Sequence, residues 1–417
     1  MLLQPSSAPR DCLEGPPMSW SRRQFLRLSA LAALASCTPS SDDYTDEDKE
    51  RLRKQQLAEG LASGSGPFGP MVFLGYRDLV RLGYFQLGRD GLLETTIDLP
   101  PVVDFHAHLG WSYLFAPKVD LLRRTPRTQY LMDCDGHEPP CELDLDVYVN
   151  SNFTDSMLRD LRWETIASLL FGSRAASTHT IPNLLAEMDA LKVRQTAVLP
   201  IAVPLPFSGD PTWYQLDAIE RAHARARLIP FASVHPQDSR AIEKLRSYHA
   251  RGVRGVKLHP EMQRFYPDAE EAMGIYAECE KLGLPVIFHA GRSGIEPEFL
   301  RPYALIRRLR RPVREFPGVK FVLGHAGARD SAEAAELARQ HENVWLELSS
   351  QGLTRIYELY RELGSTKLIY GSDWPFYPQA VALAKVLLVT EEDPAGRERI
   401  LSGNALALLR LQPEGPS

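Results

Sequence analysis

Short runs of apolar, often β-branched residues alternate with longer segments of helical periodicity from about residue 102 onward. This alternation is typical of parallel strands joined by crossover helices. The predicted strands are Val102–His106, Thr196–Pro200, Ile229–Val234, Gly255–His259, Pro285–His289, Lys320–His325, Val344–Leu348 and Leu368–Gly371. Helical patterns between them include Trp213–Arg227, Ser239–Arg251, Ala269–Leu282, Tyr303–Phe316 and Ser331–His341.

Eight strand–helix units predict an α/β fold of the (β/α)₈ TIM-barrel type. An open, doubly wound sheet is the alternative. Such a sheet would normally carry a glycine-rich phosphate loop after its first strand, and the sequence has none after Val102–His106.

The segment between the first and second predicted strands is much longer than an ordinary βα loop. It contains helical patterns at Asp155–Leu170 and Ile181–Leu191, and the second of these would serve as the barrel helix. We expect the remainder, about residues 109–180, to form a lid insertion over the mouth of the barrel. Cys134 and Cys141 lie close together within it and predict a disulfide in an oxidising compartment. A Cys–His metal loop that includes His137 is the alternative.

The first 37 residues have the features of an export signal. Arg22 and Arg23 precede an apolar run, Leu26–Ala35, which is too short to cross a bilayer. The arginine pair resembles a twin-arginine signal, and the residues before Cys37 resemble a lipobox whose cysteine would carry the lipid. An amphipathic surface helix with a chance arginine pair is the alternative.

This reading predicts an exported lipoprotein anchored on the periplasmic side of a membrane. Residues 38–66 are polar and charged and end in Ser-Gly-Ser-Gly, which predicts a flexible tether. Residues 67–412 would then form the barrel domain.

The amino-acid composition indicates which class of binding partner to expect. The chain has 417 residues, a formal net charge of -5 and 24% charged residues. The basic residues are dispersed, so we expect a small-molecule substrate and no nucleic-acid partner.

Histidines and one aspartate occur at the ends of several predicted strands. His106 and His108 lie two positions apart and would share one face of the first strand. His289, His325 and Asp373 lie at the ends of three later strands. Because the carboxyl ends of barrel strands converge, these side chains predict a catalytic metal site, with zinc as the favoured ion. Hydrogen-bonded core histidines are the alternative.

Five short motifs follow one another along the chain. They are His106-Ala-His108, Gly-Val-Lys257-Leu-His259-Pro, Pro-Val-Ile-Phe-His289-Ala-Gly, Gly-His325-Ala-Gly and Tyr-Gly-Ser-Asp373-Trp-Pro. In this order the chain resembles the amidohydrolase-related family of the amidohydrolase superfamily over roughly Val102 to Leu411. The resemblance implies a metal-dependent TIM barrel. It further implies that one divalent metal is bound by His106, His108, His289 and Asp373. His325 would orient or polarise the bound water or the substrate.

These residue types fit hydrolysis. A metal ion lowers the pKa of bound water toward 7, and Asp373 could accept the proton and later deliver it to a leaving group. We therefore expect cleavage of an amide, ester or lactone.

Cationic side chains near the mouth suggest a substrate that bears a carboxylate. Lys257 and His259 would point into the barrel, and Arg292 and Arg329 follow strand-end histidines. The arginines could equally be exposed loop residues.

Two other functions remain open. A metal-dependent decarboxylase is compatible with the same resemblance, and a non-catalytic binding lipoprotein could retain the fold. In binuclear members of the superfamily, a lysine at the end of the fourth strand is carbamylated and bridges two ions. The context of Lys257 is more similar to the mononuclear branch, so a free Lys257 and one metal are expected.

Overall fold

The computed structural model describes residues 43–111, 119–203 and 209–412. Its strands are β1 (Val72–Leu74), β2 (Phe85–Leu87), β3 (Leu93–Thr95), β4 (Val102–Ala107), β5 (Glu142–Asp144), β6 (Val193–Val198), β7 (Leu228–Pro230), β8 (Val256–Leu258), β9 (Val286–His289), β10 (Phe321–Gly324), β11 (Val344–Glu347) and β12 (Leu368–Ile369). The signal features predicted at Arg22, Arg23 and Cys37 lie outside the described residues.

The α-helices follow in chain order. They are α1 (Asp46–Ala62), α2 (Asp155–Phe171), α3 (Ile181–Ala190), α4 (Pro211–Arg221), α5 (Ala241–Ala250), α6 (Pro260–Gln263), α7 (Glu270–Leu282), α8 (Arg301–Ala304), α9 (Arg310–Glu315), α10 (Ser331–Gln340), α11 (Leu353–Leu363), α12 (Gln379–Val389), α13 (Pro394–Glu398) and α14 (Asn404–Leu409). None of these described helices has the length and apolar character needed to cross a membrane.

Eight parallel strands, β4 and β6–β12, correspond one by one to the predicted strands. They form a three-stranded sheet, β4-β6-β7, and a five-stranded sheet, β8-β9-β10-β11-β12. A parallel bridge from Ala232 to Val256 connects the end of β7 with β8. Another bridge, from Ala107 to Trp374, connects β4 with the chain after β12. Neighbouring strands therefore follow sequence order, and the segment after β12 contacts β4.

Most of these strands contribute to a shared apolar cluster. One buried cluster draws residues from six of the eight strands and from α14, among them Phe105, Phe231, Ile287 and Val322. Val103 and Phe105 belong to this cluster, whereas strict alternation from His106 and His108 predicts that they lie on the opposite face of β4, against the helices. The β4–β6 register shifts between Asp104 and Ala107, so regular alternation does not hold along β4.

The predicted helices are present with one interruption. The segment Tyr303–Phe316 is not one helix, because Leu305 adopts extended backbone angles (φ -58, ψ 127) between α8 and a short 3₁₀ helix at Ile306–Leu309. Periodicity alone gave no signal for this break. The helices after β6, β7, β8, β10 and β11 otherwise follow the predicted alternation.

The segment between β4 and β6 contains β5, α2 and α3 as well as short 3₁₀ turns. Strand β5 pairs with β1 in an antiparallel ribbon. Cys134 and Cys141 are joined by a disulfide, with their Cα atoms 5.0 Å apart. In α2, the side chain of Trp163 is exposed.

Helix α1 replaces part of the predicted flexible tether. Thr45 caps it, because its hydroxyl accepts from the amide of Asp48 while the Asp48 carboxylate accepts from the amide of Thr45. Asp48 also forms a two-point ion pair with Arg307, at 2.7 and 2.8 Å. The prediction failed for these residues because the helix is stabilised by charged tertiary contacts and not by an apolar face.

Candidate metal centre

The chemistry-bearing side chains come from the carboxyl ends of neighbouring strands. His106 and His108 end β4, Lys257 lies on β8, and Asp373 follows β12. All four are at least nine-tenths buried. Their convergence follows from the parallel arrangement, in which every strand ends on the same side.

Two hydrogen bonds fix the protonation pattern of the β4 histidines. His106 Nδ1 lies 2.7 Å from Glu347 Oε2, and His108 Nδ1 lies 2.7 Å from the carbonyl oxygen of Leu199. Both partners accept hydrogen bonds, so each Nδ1 carries the proton and each Nε2 keeps its lone pair. The two Nε2 atoms are only 3.2 Å apart. Two lone pairs directed at one point are the arrangement that a cation stabilises.

Asp373 completes this convergence. Its Oδ1 lies 3.5 Å from His106 Nε2 and 3.6 Å from His108 Nε2. His106, His325 and Asp373 each offer a ligand atom within 4.8 Å of the others. Imidazole nitrogens with one carboxylate oxygen are a donor set that suits zinc and related divalent ions.

His325 is oriented by the end of β11. Ser349 Oγ donates to Glu347 Oε2 at 3.0 Å, so it accepts from His325 Nδ1 at 2.9 Å. The Nε2 of His325 therefore also keeps its lone pair, and it lies 3.0 Å from His289 Nδ1.

His289 belongs to a neighbouring group and not to the His106 group. Its Nε2 lies 3.6 Å from Glu261 Oε2, and its ring stacks on His259 at 4.1 Å with 7° between the planes. His289, His259 and Glu261 form a second set of potential ligand atoms. The predicted ligands thus meet at one end of the strands, but in two adjacent groups that touch through His289 and His325.

Burial keeps these imidazoles neutral. It lowers the pKa of His108 and of His289 to about 3, and the positive charge of Lys257 acts in the same direction. Burial also lowers the pKa of His106 and that of His325 well below the ordinary value for histidine. Neutral imidazole is the form that binds a metal ion.

Lys257 lies at the centre of the site. Its Nζ is 3.0 Å from His106 Nε2. Burial lowers the pKa of Lys257, while the carboxylates of Asp373 and Glu347 oppose that shift. Burial also raises the pKa of Asp373 well above its usual range, and Lys257 counteracts it.

Glu347 was missed by the sequence analysis. It is completely buried, and its carboxylate accepts from the amides of His325 and Ser349 at 3.1 and 2.6 Å besides contacting His106. The available signal was a carboxylate at the end of the apolar run Val-Trp-Leu-Glu. Its role in orienting His106 and His325 depends on tertiary contacts, which a strand pattern does not show.

Glu261 was missed as well. It is buried, and its Oε1 has no hydrogen-bond partner among the described residues. Burial raises its pKa well above the ordinary value, and the charge of Glu296 adds to the shift.

Two buried carboxylates fix the chain on either side of Asp373. Asp104 accepts from the Ser372 amide at 2.9 Å and from the Ser372 hydroxyl at 2.6 Å. Glu187 accepts from the indole nitrogen of Trp374 at 2.9 Å. Asp373 itself has a left-handed backbone (φ 59), a conformation that a non-glycine residue keeps only where the surroundings enforce it.

Arg292 and Arg329, predicted to bind substrate, have partners within the protein. Arg292 is 1% exposed, and its Nε donates to Asp330 Oδ2 at 2.8 Å. Arg329 Nε donates to Glu59 Oε2 of α1 at 3.0 Å. Because both charges are already neutralised, the substrate-binding role predicted for the two arginines is not supported by their geometry.

A recess opens beside His108. Its lining is mostly apolar and aromatic, and the polar ring of His179 is already engaged with the carbonyl of Gln129 at 2.8 Å. The described lining residues are His108, Leu109, Gly110, Trp111, Leu131, Ala176, His179, Pro375 and Phe376.

Comparison with known proteins agrees with this architecture. Residues 103–411 match the sequence profile of a family described as Amidohydrolase. No curated protein matches the sequence. Among solved structures, the chain is similar to an uncharacterised TIM-barrel protein, Bb4693, from Bordetella bronchiseptica. The TM-score is 0.52 at 18% identity, over 74% of this chain and 98% of that one.

Two further solved structures are similar to the chain at lower TM-scores. The first is 5-carboxyvanillate decarboxylase LigW from Sphingomonas paucimobilis, with a TM-score of 0.49 and 17% identity over 74% of this chain and 99% of that one. The second is an amidohydrolase from Burkholderia multivorans with bound zinc. Its TM-score is 0.45 and its identity 15%, over 58% of this chain and 93% of that one. At 18% identity, the likeness to Bb4693 shows the fold alone.

Proposed function

Because the chain belongs to the amidohydrolase family, we propose that it is a metal-dependent hydrolase built on a closed (β/α)₈ barrel. The main support for this proposal is that His106 Nε2 and His108 Nε2 lie close to each other and to Asp373 Oδ1. Each ring is held in the metal-binding tautomer by an acceptor at its other nitrogen.

His106, His108 and Asp373 would hold one divalent ion, which we propose is zinc. His289 would complete this set from the adjacent group, where its Nδ1 contacts His325 Nε2. When bound, such an ion lowers the pKa of water and polarises a carbonyl oxygen. Lys257 would have to release His106 Nε2, and its charge is then available to a substrate oxygen.

Asp373 is the general acid–base group in this proposal. It lies beside the two imidazoles and is buried, so it can accept a proton from the attacking water and return it to the leaving atom. His325, held by Ser349, orients the water or the carbonyl. These roles lead to hydrolysis of an amide, ester or lactone.

We propose that the substrate is small and approaches the site beside His108. The apolar recess there, which Trp111 and Phe376 help to line, has a cavity volume of about 10 Å³ and holds no more than a water molecule in this structure. A carboxylate on the substrate would have to be met by Lys257 or His259, since Arg292 and Arg329 are engaged elsewhere.

The decisive experiment combines elemental analysis with product analysis. Purified protein is expected to contain one equivalent of zinc, and chelation is expected to abolish turnover of a panel of lactones, esters and amides. In ¹⁸O-labelled water, a hydrolase places the label in its acid product. Release of carbon dioxide from aromatic carboxylates without label would instead establish a decarboxylase. Absence of turnover with metal bound would favour a binding protein.

We further propose that the protein is exported and anchored through a lipid on Cys37. The support is the arginine pair at positions 22 and 23 followed by an apolar run and a lipobox-like sequence. Cys37→Ala should release the protein from the membrane fraction, whereas Cys279→Ala, at a buried free cysteine, should not. Retention of the Cys37 variant in membranes would contradict the anchor.

A further inference from the structure

Helix α1 has little stability of its own. Its sequence is charged on all sides, and among its residues only Asp48 and Leu52 are buried. An isolated helix of this length and polarity is marginal in water, so its position depends on contacts with the rest of the chain.

The N-terminal half of α1 is fixed to the loop after β9. The carbonyl of Asp48 accepts from Arg292, which follows His289 by three residues. Arg292 in turn binds Asp330, in the loop after β10, through its backbone amide at 3.0 Å and through its guanidinium. One end of α1 is thereby connected to both loops.

The C-terminal half is fixed to the loop after β10. Glu59 accepts from Arg329 Nε at 3.0 Å, and Arg329 follows His325 by four residues. Glu59 also accepts from the amide of Tyr148 at 2.6 Å and from the hydroxyl of Ser151 at 3.0 Å. A single carboxylate therefore joins α1, the β10 loop and the segment between β4 and β6.

The loops that α1 contacts have unfavourable backbone conformations. His325, Ala326 and Ala328 have φ values of 56, 47 and 48. Each such non-glycine residue costs on the order of 1–3 kcal/mol and persists only where the surroundings enforce it.

The two loops also pack backbone against backbone. A Cβ on Gly291 would lie 1.8 Å from the carbonyl oxygen of Gly327. Displacement of one loop would therefore displace the other, together with the histidine that precedes it.

We propose that α1 is a positioning element of the metal centre, acting through Glu59–Arg329 and Asp48–Arg292 on the loops that carry His289 and His325. Residues 46–62 lie outside the span that matches the family, 103–411. The effect on metal binding rests on the proposed function, while the effect on the loops does not.

The test compares Glu59→Gln with Glu50→Gln in the full chain. Glu50 is on the same helix but, among the residues that the structure describes, pairs only with Arg53 and Lys54 of that helix, so it controls for the loss of one negative charge. Hydrogen–deuterium exchange is measured in peptides that cover residues 290–296 and 325–330. We expect both peptides to exchange faster in Glu59→Gln than in the unmodified protein. In Glu50→Gln they should exchange at the rate of the unmodified protein.

Metal release to a chelator provides the second measurement. We expect Glu59→Gln to release metal roughly 2- to 30-fold faster than the unmodified protein, the range of coupling found for residues that act at a distance. Co²⁺-substituted protein should show a shifted visible spectrum for Glu59→Gln alone.

Two results would overturn the proposal. The first is loop exchange in Glu59→Gln that equals that of Glu50→Gln, and the second is faster exchange with metal release and Co²⁺ spectrum unchanged. If the unmodified protein binds no metal while the loops still respond to Glu59→Gln, the proposed function fails and α1 remains a positioning element of the loops.

Discussion

Two sets of nitrogen-bearing side chains were expected at the mouth of the barrel, and they have different partners in the structure. The histidines at strand ends converge, with His106 Nε2 and His108 Nε2 3.2 Å apart. The arginines a few residues further along, Arg292 and Arg329, turn to Asp330 and Glu59. A strand fixes the direction of its last side chain, whereas a loop residue takes the nearest carboxylate that the fold provides.

The two sets also differ in charge. Burial keeps the imidazoles neutral, which is the form that binds a cation. Guanidinium groups remain charged when buried, so each must be paired. The histidine set is thus arranged for chemistry and the arginine set for holding the loops that carry it.

The largest effect is expected from removing the carboxylate that pairs with a buried arginine, and it should appear as a loss of stability. Asp330→Asn leaves the Arg292 guanidinium, 1% exposed, without its anionic partner. We expect the free energy of unfolding in urea to fall by about 3 kcal/mol or more. Glu336→Gln, which breaks the exposed pair with Arg310, should change it by less than about 1 kcal/mol. Equal, small losses in the two variants would remove the distinction between the two sets.

Loss of the acid–base carboxylate should affect turnover and not stability. Asp373→Asn keeps the size of the side chain and removes its basicity, so turnover should drop by roughly 10²-fold or more. The melting temperature and the circular dichroism spectrum should stay close to those of the unmodified protein. Unmodified turnover in this variant would show that the proton moves through another group.

Substitution of Glu347 should perturb the histidine set less strongly and more selectively. Glu347→Gln would weaken the hydrogen bond that holds the His106 tautomer, and partners of this kind affect metal affinity by roughly 10- to 100-fold. Metal competition with a chelator measures the change. Glu342→Gln, an exposed position shortly before β11, is the matched control. Identical affinities in the two variants would contradict an orienting role for Glu347.

Much of the barrel could be predicted from the sequence because strand periodicity is local. All eight parallel strands were predicted within a few residues of their observed bounds, as were α5, α7 and α10. The strand-end positions of His106, His289 and His325 were visible for the same reason. The break at Leu305 was not, because it changes one backbone angle pair without altering the apolar pattern.

The sequence by itself determined which ligand types stand at strand ends, since alternation and strand order are properties of the chain. Only the tertiary structure decided that Glu347 orients His106, that His289 pairs with Glu261 and His325, and that α1 binds Arg292 and Arg329. These contacts join residues that are distant in sequence. The physical reason is that a buried charge or lone pair must find a partner in space, and a one-dimensional pattern does not record which partner lies within reach.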